Sequence, residues 1–189
     1  SHLAIIDGEI CISYGKFVSQ IECFASALSK LELNANSKIG LLCLNQKEYL
    51  IVFFAAMLKG VPVIPFNFML KPEDLLYIAQ DAAIDTLVVD SNFFKPEFEK
   101  FFNLFNNKIL IGPVDPSQTG DGTLHWEEFM AMGIPKDLIK RHKRAENIPD
   151  VILYTSGTTA KPKGVMLSEN QFDSNCSGFL QHLHFTSED

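Results

Sequence analysis

Between Lys38 and Ile111 the sequence alternates short apolar runs with segments of helical periodicity, and this alternation limits the fold more than any other feature. The apolar runs predict buried strands at Lys38–Leu44, Val61–Phe66, Thr86–Val89 and Lys108–Ile111. The intervening segments predict helices at Gln46–Lys59, from Pro72 to about Ala83, and at Lys95–Phe105. Strands and helices that alternate at these lengths predict an α/β fold in which helices flank a mainly parallel sheet.

The ends of two predicted helices carry residues that suit those positions. Gly60 can adopt the left-handed conformation that closes the helix before it. Pro72 fits the first turn of the next helix, and the acidic Glu73 and Asp74 beside it are favourable at a helix start.

The amino-terminal segment, residues 1–13, predicts a β-hairpin. Two apolar runs flank Asp7 and Gly8, and Asp-Gly is favoured in two-residue turns that need a positive φ. Ser13 then suits the N-cap of a helix. The apolar face of that helix has members at spacings of three and four residues: Phe17, Ile21, Phe24, Leu28 and Leu31.

Charge and cysteine content restrict the partners that we expect. The 189 residues carry a formal charge of −7, which argues against nucleic acid and anionic membranes as general partners. The longest apolar stretch, Tyr49–Leu58, is too short to span a bilayer, so we expect no transmembrane segment. The cysteines are widely spaced and the histidines lack the spacing of metal ligands, so neither residue type predicts a metal site. Cys43 in an apolar run predicts a buried, reduced thiol and a cytoplasmic protein.

A group of phenylalanines and a run of basic residues can each be interpreted as purely structural or as a binding surface. Six phenylalanines between Phe93 and Phe105 favour a core-facing helix, although any exposed part of this stripe could drive formation of a homodimer. The basic run Lys140–Arg144 favours a solvated helix face over a phosphate or nucleic-acid site. The glycine- and proline-rich segment 112–123 predicts a loop, with two short helices before Pro149.

The segment from Asp150 to Gln171 is the part of the chain that suggests chemistry. Val151–Tyr154 and Val165–Leu167 predict strands on either side of a hydroxyl-rich loop, 155–164. Ser168 and Gln171 have the spacing of a capping box at the start of a helix. That helix continues through apolar residues at helical spacing: Phe172, Cys176, Phe179 and Leu183.

The composition of loop 155–164 suits a phosphate group, although composition alone leaves a solvated turn equally open. Gly157 lets the backbone approach an anion closely, and Lys163 supplies a compact positive charge. The P-loop motif of nucleotide triphosphatases does not fit, because proline stands at 162 in place of the required glycine. Short hydroxyl donors come from Ser156, Thr158 and Thr159.

The string YTSGTTAKPKG closely resembles the phosphate-loop signature of the adenylate-forming (AMP-binding) superfamily. This superfamily includes acyl-CoA synthetases, luciferases and the adenylation domains of peptide synthetases. Upstream segments such as ISYGKFVSQIECFASAL and LKPEDLLYIAQDAAIDTLVVD resemble the amino-terminal region of the family in order and spacing, so the resemblance covers about residues 10–189. Ala160 departs from the usual glycine, which puts nucleotide affinity in question.

The resemblance implies an enzyme of the acyl-CoA synthetase or fatty-acid–CoA ligase type. Such enzymes use ATP with Mg²⁺ to convert a carboxylic acid to an acyl-adenylate, and then form a thioester with coenzyme A. The resemblance further implies that residues 1–189 are an incomplete, amino-terminal portion of the large AMP-binding domain, without catalytic residues, metal ligands or activity of their own. The phosphate-binding residues that it implies are Thr155, Ser156, Gly157, Thr158, Thr159 and Lys163. The alternatives are an adenylation domain of the peptide-synthetase type and a non-catalytic domain that binds nucleotide or protein.

Overall fold

The computed structural model describes residues 2–115, 119, 121–135, 149–155 and 161–183. The strands are β1 Leu3–Asp7, β2 Ile10–Ser13, β3 Ile39–Leu42, β4 Val63–Pro65, β5 Thr86–Asp90, β6 Asn107–Ile111, β7 Thr123–His125, β8 Val151–Thr155 and β9 Lys163–Leu167. The helices are α1 Tyr14–Leu28, α2 Lys47–Lys59, α3 Pro72–Asp81, α4 Glu99–Phe102, α5 Trp126–Met132 and α6 Glu169–Leu183.

Within these described ranges, strands β3 to β9 form one seven-stranded sheet in the order β7-β6-β5-β3-β4-β8-β9. Neighbouring strands are parallel except for β8 and β9, which are antiparallel. The predicted α/β fold with a mainly parallel sheet is therefore confirmed. Chain order reverses at β3, because β4 lies on one side of it and β5 on the other, as in doubly wound sheets.

Alternate residues of the central strands face opposite sides of the sheet, so each face has its own core. Val88 and Ile109 face the α1/α2 core, in which α1 and α2 pack together with α5. Leu87 and Leu110 face the α3/α4 core on the other side. Burial on both faces explains why these strands read as continuous apolar runs rather than as alternating ones.

The phenylalanine stripe belongs to the α3/α4 core, as predicted for a core-facing segment. The prediction of one continuous helix at Lys95–Phe105 is wrong. The segment forms short 3-10 turns and the four-residue helix α4, with Pro96 at the start of one turn. A continuous helix would present only part of the stripe to the sheet, whereas the broken path buries most of it. The buried members are Phe98, Phe101, Phe102 and Phe105.

Helix caps follow the sequence closely. Ser13 caps α1 and its hydroxyl accepts a hydrogen bond from the Lys16 amide at 3.4 Å. Gly60 closes α2 with a φ of 73° in the left-handed region. Helix α3 ends at Asp81, two residues earlier than predicted, because Ala83 adopts a left-handed φ of 51° that turns the chain toward β5.

Several predicted boundaries need correction. The strands β3 and β4 are shorter than their apolar runs. Cys43 after β3 and Phe66 after β4 are buried, whereas Leu44 is exposed. In the hairpin of β1 and β2 the turn is Gly8-Glu9, one residue later than the predicted pair, and Gly8 has a φ of 59°. The predicted loop 112–123 loses its last residue, since Thr123 pairs with Lys108 as the start of β7.

Some sequence predictions fall outside the described residues. Of the two short helices predicted before Pro149, α5 accounts for one. Residues 136–148, which include the basic run Lys140–Arg144, lie outside the described residues. All four cysteines are free, and Cys43 is buried as predicted.

Candidate functional site

The candidate site lies at the open end of the antiparallel hairpin β8–β9. The last rung of this hairpin pairs Thr155 with Lys163, and the rung before it pairs Tyr154 with Gly164. Both ends of the predicted loop 155–164 therefore belong to strands. The prediction placed these residues in the loop because the stretch is dense in hydroxyls, glycine and lysine, but backbone pairing across the hairpin draws its first and last residues into the strands.

Of the residues predicted to hold phosphate, the structure describes Thr155 and Lys163. They lie opposite each other across the last rung, and both are exposed. The other four lie outside the described residues, together with Ala160: Ser156, Gly157, Thr158 and Thr159.

The direction of β8 places this hairpin end at a favourable edge of the sheet. Strand β8 runs parallel to β4, with Val151 opposite Val63, so its carboxyl end points the same way as those of β3 to β7. Ligands of open α/β sheets bind outside the carboxyl ends of the strands. Thr155 is the carboxyl-terminal residue of β8 and therefore lies at that edge.

Tyr154 connects the hairpin to the end of α3 through a carboxylate. Its hydroxyl donates a hydrogen bond of 2.6 Å to Oδ2 of Asp81, and the Tyr77 hydroxyl donates to Oδ1 of the same group at 3.4 Å. Burial raises the pKa of Tyr154, and the hydrogen bond and charge of Asp81 raise it further. The Tyr154 phenol therefore stays protonated, and remains a donor, at neutral and moderately alkaline pH.

The arm of the hairpin that returns from the loop carries two exposed cations. The Nζ atom of Lys161 lies 5.0 Å from the centroid of the Tyr77 ring, a distance within the range of cation–π contacts. Lys163, the first residue of β9, is two residues further along. In a chain of net charge −7, these lysines give the hairpin end two exposed positive charges, which suit an anion.

The opposite end of the hairpin is fixed by the buried residue Asp150. Its Oδ2 atom accepts a hydrogen bond of 2.7 Å from the amide of Glu169, the first residue of α6. Ser168 donates its amide to the side chain of Gln171 at 2.7 Å, which is the backbone-directed half of the predicted capping box. Strand β8, strand β9 and α6 are thus joined at one point.

Sequence reasoning missed Asp81, Tyr77 and Asp150 as residues that hold this hairpin. Tyr77 and Asp81 are four positions apart on α3 and so share a helix face, which was the one local signal available. Among the described residues, no cluster of three or more histidine, cysteine or carboxylate side chains could hold a metal ion. No described helix is both long enough and apolar enough to cross a membrane.

A family model described as "AMP-binding enzyme" matches residues 1–189, which is the whole chain. The chain belongs to the AMP-binding enzyme family. The first and last residues of the string YTSGTTAKPKG, on which the predicted resemblance depends, lie in β8 and β9.

Curated relatives of this AMP-binding family member include ligases of fatty acids. Fatty acyl-CoA synthetase B of Dictyostelium discoideum is 28% identical over 174 residues, which cover 86% of this chain and 26% of that protein. A human long-chain-fatty-acid–CoA ligase is 27% identical over 168 residues, which cover 84% of this chain and 23% of that protein. The chain therefore spans about a quarter of the length of these relatives.

Solved structures of CoA ligases share the fold of this AMP-binding family member. A long-chain-fatty-acid–CoA ligase from Archaeoglobus fulgidus superposes with a TM-score of 0.78 at 22% identity, over 96% of this chain and 35% of that chain. An anthranilate CoA ligase in complex with anthranoyl-AMP gives a TM-score of 0.78 at 21% identity, over 88% of this chain and 31% of that chain. At these identities the likeness concerns the fold.

Proposed function

We propose that the protein containing this chain activates a carboxylic acid with ATP and then joins the acyl group to coenzyme A. The carboxylate attacks the α-phosphate of Mg-ATP, which forms an acyl-adenylate and releases pyrophosphate. The coenzyme A thiol then displaces AMP to form a thioester. The attacking carboxylate is ionised at neutral pH, so the first step requires no general base.

The observation that carries this proposal is the family signature on a hairpin end that suits phosphate. Lys163 provides an exposed cation at the carboxyl edge of the sheet, directly opposite Thr155. We propose that these two residues bind the β- and γ-phosphates of ATP. Four residues between them, which the sequence also indicated, would bind the same phosphates: Ser156, Gly157, Thr158 and Thr159. Their role is to stabilise charge on the departing pyrophosphate and to align it.

A fatty or other acyl chain is the proposed substrate class. It rests on relatives whose names describe fatty acyl-CoA synthetases and long-chain-fatty-acid–CoA ligases. We further propose that residues 1–189 are the amino-terminal portion of a larger AMP-binding domain, because they span about a quarter of those relatives. Mg²⁺ would enter bound to ATP.

Acid-dependent exchange of pyrophosphate into ATP by the full-length protein tests the adenylation step. We expect exchange with fatty acids in an acid panel, and a loss of roughly 10- to 100-fold in kcat/KM for ATP in Lys163→Ala, because a charge-assisted contact to phosphate is lost. Lys100→Ala, which removes an exposed lysine on α4, serves as the matched control and should retain activity. Absence of exchange with any acid in the wild-type protein would refute the proposal.

The 189-residue chain by itself provides a second test. We expect it to show no acid-dependent exchange of pyrophosphate, because it spans only about a quarter of the length of relatives that are named as synthetases and ligases. The full-length protein, assayed in parallel, shows that the conditions support the reaction. Exchange by the purified chain would contradict our assignment of an incomplete domain.

A further inference from the structure

The Asp81 carboxylate joins the end of α3 to the strand that leads into the signature loop. Asp81 is the last residue of α3, and its Oδ2 atom lies 2.6 Å from the Tyr154 hydroxyl, across 73 residues of sequence. A hydroxyl that donates to a carboxylate at this distance forms a strong, charge-assisted bond. Tyr77 donates to the other carboxylate oxygen, so both oxygens have a tyrosine partner.

The Tyr154 ring reaches Asp81 by lying across Gly164. A Cβ atom at position 164 would lie 3.2 Å from Cε2 and Cζ of the Tyr154 ring, and 2.9 Å from Cγ2 of Ile152. Glycine at this position therefore leaves the space that the ring occupies. The Tyr154–Gly164 rung is next to the Thr155–Lys163 rung, so the phenol is fixed one residue from each proposed phosphate contact.

The returning arm of the loop attaches to the same helix. Lys161 places its Nζ atom 5.0 Å from the centroid of the Tyr77 ring, and Tyr77 lies one turn before Asp81 on α3. The two tyrosine rings also pack against the α3/α4 core. Residues on both sides of 156–160 are thus anchored to one helix end, and that helix is anchored to the core.

We propose that Asp81 and Tyr154 are positioning residues for ATP: their hydrogen bond fixes the approach of β8 so that Thr155 and Lys163 stand at the spacing that the triphosphate requires. This inference rests on the proposed function, because it concerns the same phosphate contacts. Neither residue touches the reacting atoms. Their loss is expected to weaken the use of ATP and to leave the acid site unaffected.

Steady-state exchange kinetics of the full-length protein test the inference. Tyr154→Phe keeps the ring over Gly164 and removes the hydroxyl. We expect the KM for ATP to rise about 3- to 10-fold, because charge-assisted hydrogen bonds are among the stronger ones, while the KM for the acid changes less than about twofold. Tyr14→Phe, on the exposed first residue of α1, is the matched control and should change neither constant.

A double-mutant cycle separates positioning from general stability. Asp81→Ala should raise the KM for ATP as Tyr154→Phe does, Asp81→Asn should recover part of the loss because it keeps an acceptor, and the double variant should resemble the single ones. Equal rises in both KM values together with a lowered Tm, additive effects in the double variant, or an unchanged KM for ATP in Tyr154→Phe would each overturn the inference. Failure of the wild-type protein to exchange would instead refute the proposed function, on which the inference rests.

Discussion

Cys43 shows how the packed interior controls a single group. The thiol follows β3 and is buried, and burial raises its pKa to about 12 from an ordinary value of 9.0, with further contributions from the negative charges of Asp90 and Glu48. Asp90 is itself buried and accepts a hydrogen bond of 2.9 Å from the side chain of Gln46. Because the folded state holds the thiol proton to higher pH, this group's contribution to stability is complete below about pH 9 and is lost between pH 9 and about 12.

Thiol reactivity provides the test at this scale. With a chromogenic disulfide at pH 8, the exposed Cys11 and Cys176 should be labelled readily. Cys43 should react at least about 100-fold more slowly than they do, because the thiolate is the nucleophile and is scarce when the pKa is high. Peptide mapping after brief labelling identifies the modified residues. The unfolded chain in denaturant is the control, in which all sites should react alike. Rapid labelling of Cys43 in the folded protein would contradict this account.

Strand β3 is central to the sheet, because β4 pairs with it on one side and β5 on the other. All of its residues are buried, and it carries a glycine at its second position. A Cβ atom at Gly40 would lie 2.7 Å from the Phe66 ring and 3.2 Å from Cγ2 of Ile84. Gly40 therefore allows an aromatic ring of the α3/α4 core to pack directly on the central strand.

A pair of glycine substitutions tests this packing. Gly40→Ala should lower the free energy of unfolding by about 1–3 kcal/mol, because the added methyl group overpacks a core that has no space for it. Gly15→Ala in α1 is the matched control, since a Cβ there meets no atom within 4 Å. It should be neutral or stabilising by at most about 1 kcal/mol, through helix propensity. Urea unfolding followed by circular dichroism gives both values, and equal effects of the two would argue against a packing role.

At the scale of the whole molecule, the centre of the sheet is well covered by helices, whereas its β8–β9 end is more exposed to solvent. The central strands are covered on both sides by the α1/α2 and α3/α4 cores. The β8–β9 hairpin and α6 instead leave apolar side chains exposed, with Met166 and Phe179 each 65% accessible. Phe172 is the residue of α6 that reaches the α1/α2 core, through an edge-on contact with Phe53. The helical spacing predicted for α6 is confirmed, but most of its apolar residues face outward.

A homodimer, which the sequence left open, stays a prediction, and we now place its interface on a different surface. The phenylalanine stripe is largely buried, so it cannot supply the interface, whereas Phe179 and Leu183 on α6 are 65% and 55% exposed. We expect the 189-residue chain to self-associate with rising concentration in light scattering, and the double variant Phe179→Ser/Leu183→Ser to do so less. Ile6→Ser in the β1–β2 hairpin, a residue that is 70% exposed, is the control. A monomer at all concentrations would refute the prediction.

The sequence by itself determined the features that depend on neighbours a few residues apart. The alternation of apolar runs and helical segments predicted the sheet and its helices, because periodicity is a local property of the backbone. Ser13 and Gly60 marked helix ends, since a cap needs only its own turn. The string YTSGTTAKPKG predicted the family, which the family model confirms, because the motif is continuous in sequence. Its contacts with phosphate stay a prediction.

The tertiary structure alone decided what depends on contacts between distant residues. Three features follow from packing that no local pattern encodes. They are the order of the strands, the antiparallel pairing of Thr155 with Lys163, and the replacement of the predicted phenylalanine-rich helix by short turns and α4. The bond between Tyr154 and Asp81 is the clearest case, because 73 residues separate its partners. Helical periodicity relates residues three to four positions apart in the sequence. The contact between Tyr154 and Asp81 instead forms because β8 and α3 pack against the same sheet and core.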